Sequence, residues 1–126
     1  MDKSGEWLRR ANSSLHLATA LETDEEIDLE DRCFQLQQSA EKALKAVLVS
    51  QSLQFPKTHD LVSLANLLEK RLEMPAWAAS VGDLNDYAVA TRYPGDYTPV
   101  TMHEYEIATG LVRAIVEWAS SMLENP

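Results

Sequence analysis

Apolar side chains recur at steps of three and four residues along most of the chain, a spacing typical of amphipathic helices. The sequence shows no strand-like alternation of apolar and polar residues. The longest helical stretch carries one apolar stripe that predicts a core-facing surface, at Cys33, Leu36, Ala40, Ala43 and Val47. The pattern predicts helices over about 4–21, about 29–52, 61 to a residue before Pro75, about 76 or 80 to Thr91, and 101 through Met122.

Short sequence signals mark the ends of these helices. Pro56 stops the second helix, because proline lacks the backbone N–H and its predecessor prefers an extended backbone. Thr58 or Asp60 can cap the third helix, and Thr101 with Glu104 forms a capping box at the last one. The connections are short, so the chain is predicted to be one domain over residues 1–126: an all-α, antiparallel up-and-down four-helix bundle with an additional short helix before the last long helix.

The charge balance limits the class of partner. The chain has 20 Asp and Glu residues against 11 Lys and Arg residues, a formal net charge of −9. Such a charge repels phosphate backbones at long range, so extended DNA binding is not expected, although a local anion pocket remains open. The absence of an apolar run long enough for a signal peptide or a membrane span predicts a cytoplasmic protein without membrane contact.

Several kinds of site are disfavoured by the residues that they need. The single cysteine, Cys33, supports neither a disulfide framework nor a zinc site, and no paired-histidine motif is present. The sequence has only 4 glycines and none of the glycine-rich loops that cradle phosphates in P-loop and Rossmann proteins. We therefore expect no metal and no cofactor, and any phosphate contact has to come from side chains.

A second stripe lies beside the apolar one on the longest helix, and Lys42 is next to it. Its members are Phe34, Gln38, Glu41 and Lys45. This stripe can be a polar site or a self-association face. Alternatively, it is a solvated flank on which Glu41 and Lys45 form an ordinary ion pair worth ~0.3 kcal/mol.

Two further positions can carry chemistry. His59 precedes the third helix, where its ring can either meet a ligand or bond a helix end. Arg92 and Tyr93 follow the short helix and place a planar cation beside an aromatic ring, which suits a base or a phosphate. In the alternative interpretation, Arg92 caps helix carbonyls and Tyr93 packs over the end of the bundle.

Three segments in this order closely resemble a HEPN domain: CFQLQQSAEKALKAVL at 33–48, FPKTHDL at 55–61 and TRYP at 91–94. The resemblance implies an all-α bundle, commonly a homodimer that binds a nucleotide and is often encoded beside a minimal nucleotidyltransferase, as in toxin–antitoxin systems. It makes nucleotide- or anion-binding candidates of Lys42, Lys45, His59, Arg92 and Tyr93, and it leaves RNA possible as a ligand.

Many members of that family are metal-independent ribonucleases with an arginine closely followed by a histidine near the start of the last helix. Here ten residues separate Arg92 from His103, so the expected spacing is absent and no catalytic residue is assigned. Arg10 and His16 are closer, but they lie in the first helix, where the family does not place this pair. Two alternatives remain: a ribonuclease toxin using His59 or His103 with Arg92, and a non-catalytic dimeric scaffold.

Overall fold

Helices account for all the regular secondary structure that the computed structural model describes, over residues 2–88, 93–95 and 97–125. This confirms the all-α prediction. In chain order these elements are α1 (Lys3–Thr19), α2 (Leu29–Ser50), α3 (Leu61–Glu69), a 3₁₀ segment (Ala76–Ala88) and α4 (Met102–Glu124). Within the described ranges, no helix combines the length and the apolar character needed to cross a membrane.

The central element of the bundle, α2, packs against α1, α3, the 3₁₀ segment and α4. Its pairing with α1 is antiparallel, because Ser39 Oγ donates to Ala11 O at 2.7 Å and Arg32 Nη1 donates to Ala18 O at 3.0 Å. The predicted apolar stripe is confirmed, since its five members are fully buried: Cys33, Leu36, Ala40, Ala43 and Val47. The stripe therefore belongs to the same buried core as Leu61, Leu64 and Leu68 of α3 and Leu84 of the 3₁₀ segment.

The buried cysteine, Cys33, is expected to be unreactive. Burial raises the pKa of the Cys33 thiol to about 12, and the nearby carboxylates of Glu30 and Glu104 add to the shift. The thiolate is the reactive form of cysteine, so Cys33 acts as a small core residue rather than a nucleophile.

The polar caps follow the sequence signals. Thr101 Oγ1 accepts from Glu104 N and the Glu104 side chain accepts from Thr101 N, which confirms the predicted capping box. At α3 the cap is Asp60, whose carboxylate accepts from Val62 N at 3.0 Å. The Ser63 hydroxyl first, and then the Asn85 amide, hold the pKa of the Asp60 carboxyl below its usual range.

Helix ends differ slightly from the predicted ones. We predicted that the first helix reaches Leu21, but α1 ends at Thr19, and we predicted Ser52 for the second, but α2 ends at Ser50. α1 ends before Ala20, whose backbone is extended (ψ 144°). Leu21 (φ 51°) and Ser52 (φ 57°), each two residues past its helix, are left-handed, a conformation that an α-helix cannot include. The predicted short helix is present as 3₁₀ turns, while its expected end at Thr91 lies outside the described residues.

Candidate functional site

The buried carboxylate of Glu41 on α2 contacts two other residues that the sequence singled out, Lys45 and His59. Glu41 Oε2 lies 3.0 Å from Lys45 Nζ, and Glu41 Oε1 lies 2.7 Å from His59 Nδ1. The side chains of Glu41 and Lys45 are only 5% and 9% exposed, whereas that of His59 is 71% exposed. The predicted ion pair is thus present, but the interpretation of this stripe as a solvated flank is wrong for these two residues.

Two aromatic rings complete the surroundings of Lys45. Its Nζ lies over the Trp7 ring of α1, 5.4 Å from the centroid, and over the Phe55 ring of the α2–α3 connection at 5.8 Å. Ring faces attract cations, so these contacts add to the ion pair with Glu41. The ammonium group of Lys45 is therefore already neutralised and enclosed, which makes it a group that positions its neighbours rather than a free cation.

The backbone around His59 is fixed from two sides. Gln37 Nε2 donates to His59 O at 3.1 Å, and Gln38 Nε2 donates to Gln37 Oε1 at 2.8 Å. Asn85 of the 3₁₀ segment accepts from Leu61 N at 3.0 Å, just after the histidine. A carboxylate can only accept, so in the bond to Glu41 the proton lies on His59 Nδ1, and Nε2 takes no part in that bond. The exposed ring consequently has a defined orientation and one nitrogen available to a ligand.

Lys42 lies one turn before Lys45, at the contact between α1 and α2. Its Nζ donates to Ser14 Oγ at 2.9 Å, and Arg10 lies one helical turn before Ser14 on α1. Burial, followed by the repulsion of the Arg10 charge, lowers the pKa of Lys42. We call Arg10, Lys42, Lys45 and His59 the basic seam.

The carboxylate nearest to Arg10 is shared. Glu6 Oε1 lies 2.7 Å from Arg9 Nη2 and 3.2 Å from Arg10 Nε, and these bonds lower the pKa of Glu6 to about 2. One carboxylate therefore serves two guanidinium groups, so positive charge exceeds negative charge at this part of α1. Sequence reasoning missed Arg10 and Trp7 as site residues, although Trp7, Arg10 and Ser14 recur at helical spacing on α1.

The remaining candidates are less closely connected to the seam. Phe34 and Gln38 are half-buried on α2, and Tyr93 is 74% exposed in the connection before α4. Arg92 lies outside the described residues. Among those that are described, no group of three or more His, Cys, Asp and Glu residues is arranged to hold a metal ion.

A separate cavity of about 850 Å³ lies between the 3₁₀ segment and the start of α4. Leu84, Ala108 and Leu111 form part of its apolar lining, and Asp83 and Glu104 contribute carboxylates. The carboxylates disfavour a phosphate there, so the basic seam is the better candidate for an anion.

Comparison with known proteins agrees with this architecture. A family model described as HEPN domain matches residues 4–122. The crystal structure of TT1696 from Thermus thermophilus superposes with a TM-score of 0.78 at 26% identity, covering 97% of this chain and 99% of that chain. The crystal structure of ST0689, an archaeal HEPN homologue, gives a TM-score of 0.72 at 24% identity, covering 96% and 98%. No curated protein gives a significant match.

Proposed function

Because this chain belongs to the HEPN domain family, we propose that it binds a nucleotide or another phosphate-bearing ligand at the basic seam. The observation that carries the proposal is the bond from Lys42 to Ser14 across the α1–α2 contact, which places the ammonium group of Lys42 within one helical turn of Arg10 on α1. In a chain with a net charge of −9, like charges brought together in this way are stabilised by an anion.

The four members of the seam contribute differently. Lys42 and Arg10 supply charge and donors to the phosphate, and the guanidinium fork can bind two of its oxygens at once. His59 offers Nε2 at the exposed side of the seam, while Glu41 holds its ring in place. Lys45 neutralises Glu41, so the carboxylate repels the ligand less than it otherwise would.

Calorimetric titration of nucleic-acid-free protein with ATP and with a short RNA tests this assignment. We expect Lys42→Gln to weaken binding about tenfold or more, because a hydrogen bond to a charged group contributes roughly 1.5–3 kcal/mol. Arg113→Gln is the matched control, since Arg113 is an exposed arginine on α4 whose carboxylate neighbour, Glu22, is 3.9 Å away. Equal affinities of the wild type and the Lys42 variant would remove the seam as the binding site.

The family resemblance also supports a proposal for the cellular setting. We propose that the protein acts as a homodimer together with a minimal nucleotidyltransferase, in the manner of a toxin–antitoxin pair. Phe34 and Gln38, which are half-buried on α2, are the residues that the sequence suggests for a dimer interface. If no ligand binds, the alternative is that the protein is a non-catalytic scaffold with the same dimer.

One observation favours a ribonuclease as the second candidate function. The carboxylate of Glu41 orients an exposed histidine, which is the arrangement of a general acid or base. His59 Nε2 can take the proton of a ribose 2′-hydroxyl as that oxygen attacks phosphorus, while Lys42 stabilises the charge of the phosphate. The bond from phosphorus to the 5′-oxygen then breaks, and the 5′-oxygen leaves as a hydroxyl after taking a proton from water, so a 2′,3′-cyclic phosphate remains.

RNA cleavage in the presence of EDTA tests the second candidate. If it is correct, we expect His59→Asn to abolish cleavage, because the proton acceptor is lost. His103→Asn provides the control, since His103 is exposed near the start of α4. An inactive wild-type protein, or a His59 variant as active as the wild type, excludes this role for His59.

A further inference from the structure

The ring of Trp7 borders an open cleft as well as the buried Lys45. The cleft has a volume of about 230 Å³ and is lined by Lys3, Glu6, Trp7 and Arg10, which follow one another at helical spacing on a single face of α1. Trp7 is half-buried, so part of its ring remains accessible from this cleft. The accessible part of the Trp7 ring therefore lies beside Arg10, at one end of the basic seam.

The aromatic ring and the two cationic groups lie in a fixed order along α1. Trp7 and Arg10 are three residues apart, about one helical turn or ~4.5 Å along the axis. Ser14 follows one turn later and holds Lys42 from α2 at 2.9 Å. Moving along the helix, a ligand thus meets an aromatic ring first and two cations next.

We propose that the ligand of the seam is a nucleoside phosphate whose base stacks on Trp7 while its phosphate binds Arg10 and Lys42. This inference rests on the proposed function, and it adds Trp7 as the residue that distinguishes a nucleotide from other phosphates. Flat bases of either class have a π-face, so the contact selects for a base without selecting which one.

The buried cation strengthens this role of Trp7. Lys45 Nζ lies over the ring at 5.4 Å and is itself fixed by Glu41 at 3.0 Å. These contacts hold the indole in place before any ligand arrives, so little side-chain freedom is lost when a base stacks on it.

Titration with AMP and with ribose 5-phosphate separates the base from the phosphate. We expect the wild-type protein to bind AMP about tenfold more tightly, a difference typical of stacking on one aromatic side chain. Trp7→Leu is expected to remove this preference while leaving the affinity for ribose 5-phosphate unchanged, and Arg10→Gln is expected to weaken both ligands alike. Arg113→Gln again serves as the charge control, with helicity measured for every variant.

A second readout follows ligand binding in the wild-type protein itself. The chain has 3 tryptophans, and the indole N–H signal of Trp7 in a proton–nitrogen correlation spectrum is assigned by its disappearance in Trp7→Phe. We expect AMP to shift this signal strongly and ribose 5-phosphate to leave it almost unchanged. The signals of Trp77 and Trp118, which pack edge-to-face with centroids 5.2 Å apart, provide the internal control.

The possible outcomes separate the two proposals. Equal affinities for AMP and ribose 5-phosphate, or an unshifted Trp7 signal with AMP bound, overturn the stacking role and leave phosphate binding at the seam intact. The absence of binding by either ligand overturns both proposals. A base preference that survives in Trp7→Leu also overturns the inference, because the base then lies elsewhere.

Discussion

Replacing Arg32 with methionine is expected to lower the free energy of unfolding by about 3 kcal/mol. The guanidinium of Arg32 is buried, with the residue only 3% exposed, and it donates to Ala18 O at 3.0 Å, Ala20 O at 2.6 Å and Leu21 O at 2.6 Å. Losing these donors costs roughly 1–3 kcal/mol for each carbonyl left unpaired, which concerns Ala20 O and Leu21 O, because Ala18 O still accepts from the Tyr105 hydroxyl. Methionine keeps an unbranched apolar stem, so the loss reports on the guanidinium rather than on packing.

Urea unfolding followed by circular dichroism measures this effect. Arg113→Met is the matched control: the Arg113 side chain is 54% exposed, and we expect a change within about 0.5 kcal/mol. A loss of less than about 1 kcal/mol in the Arg32 variant would contradict the expected contribution of its three bonds to stability.

The second large effect is expected at the buried ion pair. Lys45→Met leaves the carboxylate of Glu41 buried without its ammonium partner, and breaking a pair in this way costs about 3–5 kcal/mol. We expect about 3 kcal/mol, because the bond from His59 to Glu41 remains. The double variant Glu41→Gln with Lys45→Met removes the stranded charge and should regain most of the loss, which a double-mutant cycle measures directly.

An exposed pair on α1 supplies the comparison. Glu6 and Arg9 are 41% and 54% exposed in their side chains, so Arg9→Met should leave the free energy of unfolding almost unchanged. A Lys45 variant that is no less stable than this control would mean that the Glu41–Lys45 pair behaves as a surface pair.

The helices were predictable because their signals are local. The apolar stripe on α2, the cap at Asp60 and the capping box at Thr101 each depend on residues within one or two turns, and the structure confirms all three. The ends of α1 and α2 were less predictable, since neither Leu21 nor Ser52 is a residue type that signals a left-handed backbone.

The candidate site depends on contacts that sequence spacing does not specify. The ion pair of Glu41 and Lys45 follows from their separation of one turn, but its burial depends on Trp7 and Phe55, which come from other parts of the chain. The bond between His59 and Glu41 likewise requires the α2–α3 connection to fold back on α2. That Lys42, Lys45, His59 and Tyr93 bind a ligand stays a prediction, as it does for Arg92.

The carbonyl oxygen of Ala18 accepts from two other helices. Arg32 of α2 donates to it at 3.0 Å, and the hydroxyl of Tyr105 of α4 also donates at 3.0 Å. The last turn of α1 therefore cannot fray without releasing a bond to each of these helices. This single atom links three helices that already share one core, so we expect the amide protons of that turn to exchange more slowly than those at the other end of α1.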